Sequence, residues 1–339
     1  MIEEVWLPRL HALCSELRNA ARGAIERAHA AQDLASVAAA VRQGAGDVTY
    51  AIDEVTELAI DAWLLEIART TPLSLMTEDS GWRHFGPGPN GKALELATFD
   101  HGGPRIALDP IDGTRNLMAD MRSAWTVVSF APPGADQPRF ADLSLGILSE
   151  IPDSRAARYR VLQAQRGGNC AFELRDLERE RVRERRTLVA DSDARVDRGY
   201  FPFFRYAPDQ RPELAAIEAD FFARLAAREN ADLRHVFDDQ YISNAGQLTL
   251  LALGTYRMVA DIRGWLARRA GQKTITSKPY DVAGAILCAQ AAGCIVTAPF
   301  GEPLDFPIDC TTPLDFIGFA NAATARRIAP HLDAALRRT

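Results

Sequence analysis

The chain has 339 residues, 47% of them hydrophobic and 25% charged, with a formal net charge of −6. That balance fits a globular protein of one large domain or two ordinary ones, and its sign supplies no global field for a nucleic acid polymer or an anionic membrane. An anionic substrate would have to be drawn locally, by a bound cation or a few placed bases. No stretch approaches about 18 unbroken apolar residues, so no membrane span is expected. Cys14, Cys170, Cys288, Cys294 and Cys310 are odd in number and scattered, with no Cys-x-x-Cys pair. Reduced thiols and a cytoplasmic location follow as the expectation, and the opening Met1-Ile2-Glu3-Glu4 has none of the marks of a secretory leader.

In chain order, residues 7–42 are Ala-rich, with Leu10, Leu13, Leu17, Ala21 and Ala24 at helical spacing, and predict one or two amphipathic helices. Gly44 and Gly46 interrupt them before a short extended piece at 48–51. A helix is predicted at 53–69 and a strand at 73–76, which delivers Glu78 and Asp79. Glycine and proline across 86–104 predict a loop or hairpin excursion. Residues 106–108 read as a strand, followed by alternating stretches at 125–130, 144–148, 159–163 and 170–174, as in an antiparallel meander. The charged run 175–186 reads as a solvated connector, which places a division between subdomains 1–186 and 187–339. Beyond it come helices at 213–228 and 244–253, a strand at 256–262, a helix at 281–292, strands at 294–297 and 315–320, and a C-terminal helix. The fold class is α+β, in two packed, layered subdomains.

The chemistry centres on Asp109-Pro110-Ile111-Asp112-Gly113-Thr114. A strand enters a proline-stiffened turn carrying two carboxylates, and Gly113 permits unusual backbone angles. Thr114 or Asn116 opens a helix whose first N–H groups are free. Hard oxygens at such a point suit Mg²⁺, and the N–H groups suit a phosphate. An Asp-Pro or Asp-Gly dipeptide alone is an ordinary turn. Two residues separate the aspartates, which argues against the Asp-x-Asp nucleophile of haloacid-dehalogenase-like phosphatases. Glu78 and Asp79 alone would be a solvated strand end. Asp53 and Asp281, each ahead of an apolar helix, fit N-caps equally well. No His-Glu-x-x-His, Gly-x-Ser-x-Gly or P-loop occurs.

Asp109 to Thr114 with Asn116, together with Asp281-Val282-Ala283-Gly284 and Gly293, resemble the two signature motifs of the inositol monophosphatase superfamily. The stretch around Asp53 and the acids at Glu78 add two weaker matches in the correct order, and the resemblance spans about residues 5–330. It implies a layered αβαβα fold and a homodimer that hydrolyses a small phosphate monoester with two or three Mg²⁺ ions and no covalent intermediate. Carried over to this sequence, Glu78, Asp109, the Ile111 carbonyl, Asp112 and Asp281 would ligate the metal, with Asp79 beside them. Asp53 and Thr114 would polarise the attacking water, with Glu78 also catalytic, and Gly113 and Thr114 would offer N–H groups to the phosphate.

Asp79 stands where a second Glu is common, and Tyr280 where a Trp is usual. Thr274 replaces a Glu that contacts the sugar ring in inositol phosphatases. Arg263, Arg268, Arg269, Lys273 and Lys278 surround it, and Lys273, Lys278 and Arg263 would meet a second anionic group. Fructose-1,6-bisphosphatase and 3′-phosphoadenosine nucleotide phosphatase are therefore alternatives, as is a catalytically silent paralogue that binds a phosphometabolite.

Overall fold

The computed structural model describes residues 2–43, 48–78, 80–206 and 208–338. It opens with α1 (Ile2–Ala30), whose expected stripe, from Leu10 to Ala24, is buried. The helix ends well before residue 42. Gln32 takes a positive φ, and Asp33 accepts the Ser36 N–H in a tight turn. The chain then forms a ribbon of β1 (Ala40–Gln43) and β2 (Val48–Tyr50). Gly44 and Gly46 lie outside the described residues.

The next helix, α2 (Ala51–Ala68), leads to β3 (Leu73–Thr77), β4 (Gly81–Pro87) and β5 (Ala93–Glu95), so the Gly/Pro-rich excursion is in part a hairpin. The motif strand is β6 (Arg105–Asp112), with the single turn α3 (Thr114–Met118) after it. The meander continues through β7 (Ala124–Ala131), β8 (Leu145–Ile151), β9 (Arg158–Gln165), β10 (Cys170–Asp176) and β11 (Val182–Leu188). These strands form one nine-stranded sheet, in the order β11-β10-β9-β8-β7-β6-β3-β4-β5, antiparallel except for the β3–β6 pair.

The run 175–186 is therefore no connector. It ends β10 and forms most of β11, an edge strand, and residue 186 lies within that strand. Charge on both faces hides the strand period, while cross-strand pairs such as Arg185 with Glu173 at 2.6 Å accommodate it.

The remaining elements are α4 (Arg211–Glu229), α5 (Asn244–Ala252), β12 (Met258–Asp261), α6 (Arg263–Ala270), α7 (Pro279–Ala291), β13 (Ile295–Thr297), β14 (Phe316–Phe319) and α8 (Ala322–Arg338). The sequence reading missed α6, since its arginines mask the buried Leu266 and Ala267. Strands β12, β14 and β13 form a small antiparallel sheet.

Strand alternation sorts the core into layers. Leu75, Ile106, Leu108, Val128 and Phe130 pack under α1 and α2. Met76, Ala107, Trp125 and Val127 face α5 and α7 on the other side. Met258, Ala260, Ile317 and Phe319 pack against α4 and α8. The layers run αβαβα, as the resemblance implies.

Gly284 decides how closely α7 lies on the sheet. A Cβ there would overlap the Val128 carbonyl oxygen, and one on Gly146 would overlap the Gly284 carbonyl. Gly284→Ala is expected to cost about 1–3 kcal/mol in urea unfolding, because backbone on both sides leaves nothing flexible to yield.

Candidate active site

Asp109 and Asp112 are three residues apart, so a regular strand would point them to opposite faces. The β6–β7 register removes that problem. Asp109 pairs with Val127 and Asp112 with Trp125, so three steps on β6 match two on β7. The extra residue is a bulge around Pro110, which has no N–H to offer a ladder. Asp109 shares the parity of Ala107 and so faces the α7 side. Its Oδ1 accepts the Ile111 N–H at 2.9 Å, and Thr126 Oγ1 donates to the Pro110 carbonyl at 3.0 Å. Gly113, at φ 101°, then turns the chain into α3.

Both helix-leading aspartates sit three residues past the N-cap positions. Tyr50 caps α2, and Asp53 at N3 reaches back to accept the Tyr50 N–H at 2.8 Å. Lys278 caps α7, and Asp281 at N3 accepts the Lys278 N–H at 3.0 and 3.1 Å. Neither Tyr nor Lys carries a capping side chain, so the acid three residues on holds each helix end. Asp53 keeps its other oxygen for the site, where Thr114 Oγ1 lies 3.2 Å from Asp53 Oδ1 and 2.9 Å from the Ile111 carbonyl. Thr114 and Asp53 are thus brought together, sharing one proton between two acceptors.

Asp112 is held by α5. Its Oδ2 accepts the Ser243 hydroxyl at 2.7 Å and the Ala245 N–H at 2.6 Å. Glu78 stands at the exposed end of β3, hydrogen-bonded to the buried Tyr280 hydroxyl, so the Tyr in place of Trp gives it a polar partner. Asp79 lies outside the described residues.

The acids feel one another. Burial pushes the Asp109 carboxyl well above the usual carboxylate range, and Asp112, Asp281 and Glu78 push it further. Burial raises Asp281 as well, with Asp112 and Glu78 adding to the effect. Asp112 is pushed by burial up to about 6, opposed by its hydrogen bonds and by Arg263. Among the described residues, no three acidic, histidine or cysteine groups yet close around one point at ligating distance. The cluster is assembled to within electrostatic reach.

Of the residues expected to read the substrate, two line this cleft and two do not. Lys278 lines it, half-buried, with Nζ donating to Thr276 Oγ1 at 2.7 Å and no ion pair among the described residues. Arg263 lines it too but is buried in a pair with Asp261 at 2.7 and 2.8 Å, and also donates to Ser277 at 2.9 Å. Lys273 is exposed outside the cleft, and Thr274 donates to Asp209 at 3.3 Å. Arg268 pairs with Asp315, and Arg269 lies over Trp265. The expected five-base patch is therefore dispersed, because α6 projects its arginines in different directions.

The sequence reading missed the support of Arg263. Asn244 Nδ2 and Ser277 Oγ both donate to Asp261 Oδ2, at 3.1 and 2.7 Å. A Ser-Asn pair opening an apolar helix, and an acid ending an apolar strand, were the available signals. Phe204 and Tyr206 flank Arg263 at 4.2 and 5.1 Å, and Arg115 covers Tyr206 at 4.0 Å.

No protein-family model and none of the curated proteins matches the sequence. Solved structures do match. Fructose-1,6-bisphosphatase from Leishmania major, in its holo form, is 12% identical over 97% of this chain and 94% of its own, with a TM-score of 0.69. Extragenic suppressor protein suhB from Bartonella henselae is 14% identical over 97% and 98%, at 0.63. Inositol monophosphatase-II from Staphylococcus aureus is 16% identical over 98% and 97%, at 0.58. The motifs and the whole-chain superpositions agree: this protein has the fold shared by inositol monophosphatases and fructose-1,6-bisphosphatases.

Proposed function

We propose that the protein is a divalent-metal-dependent phosphomonoesterase, with Mg²⁺ as its cation and a small sugar or polyol phosphate as substrate. The observation that carries this is the bulge in β6. It turns two carboxylates to one side, where Asp281 and Glu78 raise the electrostatic cost of a third and fourth charge. Such a cluster is unfavourable unless cations fill it. The donor set, Glu78, Asp109, the Ile111 carbonyl, Asp112 and Asp281, is all hard oxygen, which fits Mg²⁺ rather than a softer ion. Two or three such ions would supply an acidified water and charge neutralisation at the leaving oxygen.

The chain's own residues do the rest. Asp53 and Thr114 hold a proton between them at the mouth of α3, where they orient and polarise a water. The N–H groups of Gly113 and Thr114, at the start of α3, would be offered to the phosphate. Lys278, a cleft-lining cation for which no ion pair occurs among the described residues, meets the oxygen-rich remainder of the substrate. We also propose a homodimer in a reducing cytoplasm; all five cysteines are free, and no helix among the described residues is long and apolar enough to cross a membrane.

A panel of phosphate esters assayed with Mg²⁺ and with EDTA tests this reading, and no Mg²⁺-dependent phosphate release from any ester would sink it. Within the panel, a bisphosphorylated sugar is expected to outrun inositol 1-phosphate in kcat/KM. Lys278→Gln should raise KM for the bisphosphate while sparing a simple monophosphate. If inositol 1-phosphate is the best substrate and the variant is silent, Lys278 is not a specificity residue.

Thr114→Ala should lower kcat more than it raises KM. Asp53→Asn should give a comparable defect, since the amide oxygen can still accept the Tyr50 N–H and hold α2. The double variant should lose little more than either alone, as for groups acting as one unit. Fully additive losses in a kinetic double-mutant cycle would separate the two residues.

A further inference from the structure

The segment that joins β5 to β6 has no part in the proposed chemistry, yet it is anchored by a hydrogen-bonded chain in which one proton arrangement satisfies every donor. Ser74 on β3 is fully buried and pairs across the ladder with His84 on β4. Its Oγ lies 2.8 Å from His84 Nδ1 and 2.7 Å from His101 Nε2. The Gly103 N–H donates to His101 Nδ1 at 3.0 Å. That nitrogen carries no proton, so the ring's proton is on Nε2 and is donated to Ser74. The serine's own proton then goes to His84 Nδ1. An added proton on His101 would have to face the Gly103 N–H. One on His84 would face the Ser74 hydroxyl.

The chain ties down tightly packed backbone. The Ser74 N–H donates to the Pro104 carbonyl at 2.8 Å, and a Cβ on Gly103 would overlap the Pro72 carbonyl. It also reaches the cleft. Phe99 stands edge-on to His84 at 4.4 Å and to Trp82 at 5.2 Å. Trp82 Nε1 donates to the Ile308 carbonyl at 3.0 Å, and the next carbonyl, of Asp309, accepts the Tyr280 N–H at 3.1 Å. Cys310 lines the cleft, and β3 and β4 flank the turn that carries Glu78.

We propose that residues 96–104 form an acid-sensitive latch: protonation of His101 or His84 breaks the Ser74 chain, frees the segment, and loosens the Glu78 turn and the Ile308–Cys310 wall. Around the two rings, Glu95 on β5 favours a proton on His84 and Asp100 favours one on His101. Arg105 on β6 and His84 itself oppose a proton on His101, and Arg83 on β4 is engaged by Asp61 of α2. Burial opposes protonation of both rings and lies behind the lowering of both from the ordinary 6.5. Groups lowered in the folded state keep it closed above the ordinary imidazole range and weaken it as pH falls through that range.

Hydrogen exchange on the full-length protein, corrected for intrinsic rates, reads the latch without relying on the phosphatase reading. Between about pH 7.5 and 5.5, amides of 96–104 should lose protection relative to those of β8, by up to about tenfold for one ring that titrates at its ordinary 6.5 once the latch is open. In the double variant His84→Gln/His101→Gln that pH dependence should vanish, and in Ser74→Ala exchange should be fast at both pH values. Equal wild-type protection at both pH values overturns the latch. The coupling to turnover rests on the proposed activity. At saturating Mg²⁺ the double variant should retain wild-type kcat at pH 7.5 and lose less of it at pH 5.5. An acid limb identical to wild type, in an enzyme whose latch opens, overturns the link to the cleft.

Discussion

Asp109→Asn should lower kcat by at least about a thousandfold while leaving the fold intact, the loss expected if Asp109 holds the proposed cation, a role a neutral amide fills poorly. The fold should survive because the amide keeps an oxygen to accept the Ile111 N–H, the bond that shapes the turn. The same change should act on stability with the opposite sign. Asp109 is a buried carboxyl that its neighbours push towards protonation, and a neutral replacement removes that repulsion in the metal-free protein. The variant is therefore expected to melt higher than wild type in EDTA and to gain less from Mg²⁺. Near-normal turnover in a folded Asp109→Asn protein would remove the metal-cluster reading altogether.

Mg²⁺ should raise the melting temperature, since the acids that attract it converge only in the folded state. At about 100 times its dissociation constant the gain is about 2.7 kcal/mol. The pH dependence follows from the raised carboxyls. Asp112 at about 6, with Asp109 and Asp281 raised further above the usual 3.8, means that the folded protein holds protons the unfolded chain has released. From these groups, stability in EDTA is fully present below the ordinary carboxylate range and is lost as pH rises through about 6. Protons and Mg²⁺ compete for the same oxygens, so the Mg²⁺ increment should be larger near pH 8 than near pH 5.5. Calorimetry at both pH values, with Mg²⁺ and with EDTA, checks the sign. A melting temperature indifferent to both would count against a preformed cation site.

Much of this was legible in the order of residues alone. The helices at 51–68, 211–229 and 279–291 and the meander from 124 to 176 follow from apolar periodicity, because each element buries one face. The Asp109–Thr114 turn was likewise accessible, since a short motif carries its own local geometry, whereas the pairing of Thr114 with Asp53, 61 residues away, came only from the family resemblance. Long-range partnership was not. The bases around Thr274 looked like one patch, yet Arg263 is turned inward to Asp261, Arg268 out to Asp315, and only Lys278 is left facing the cleft without an ion pair among the described residues. Strand β11 was hidden because a charged edge strand is held by one neighbour's backbone and shows no apolar alternation.

The sequence by itself determined the layered fold class, which rests on local patterns of apolar residues, and it named the candidate acids through the family resemblance. Tertiary structure decided that Asp109 and Asp112 point the same way and that Asp53 and Asp281 brace the ends of their helices while facing the site. It also decided that a serine between two histidines pins the 96–104 segment to the sheet. Each of these depends on ladder register and on helices meeting from distant parts of the chain, and no local spacing encodes that.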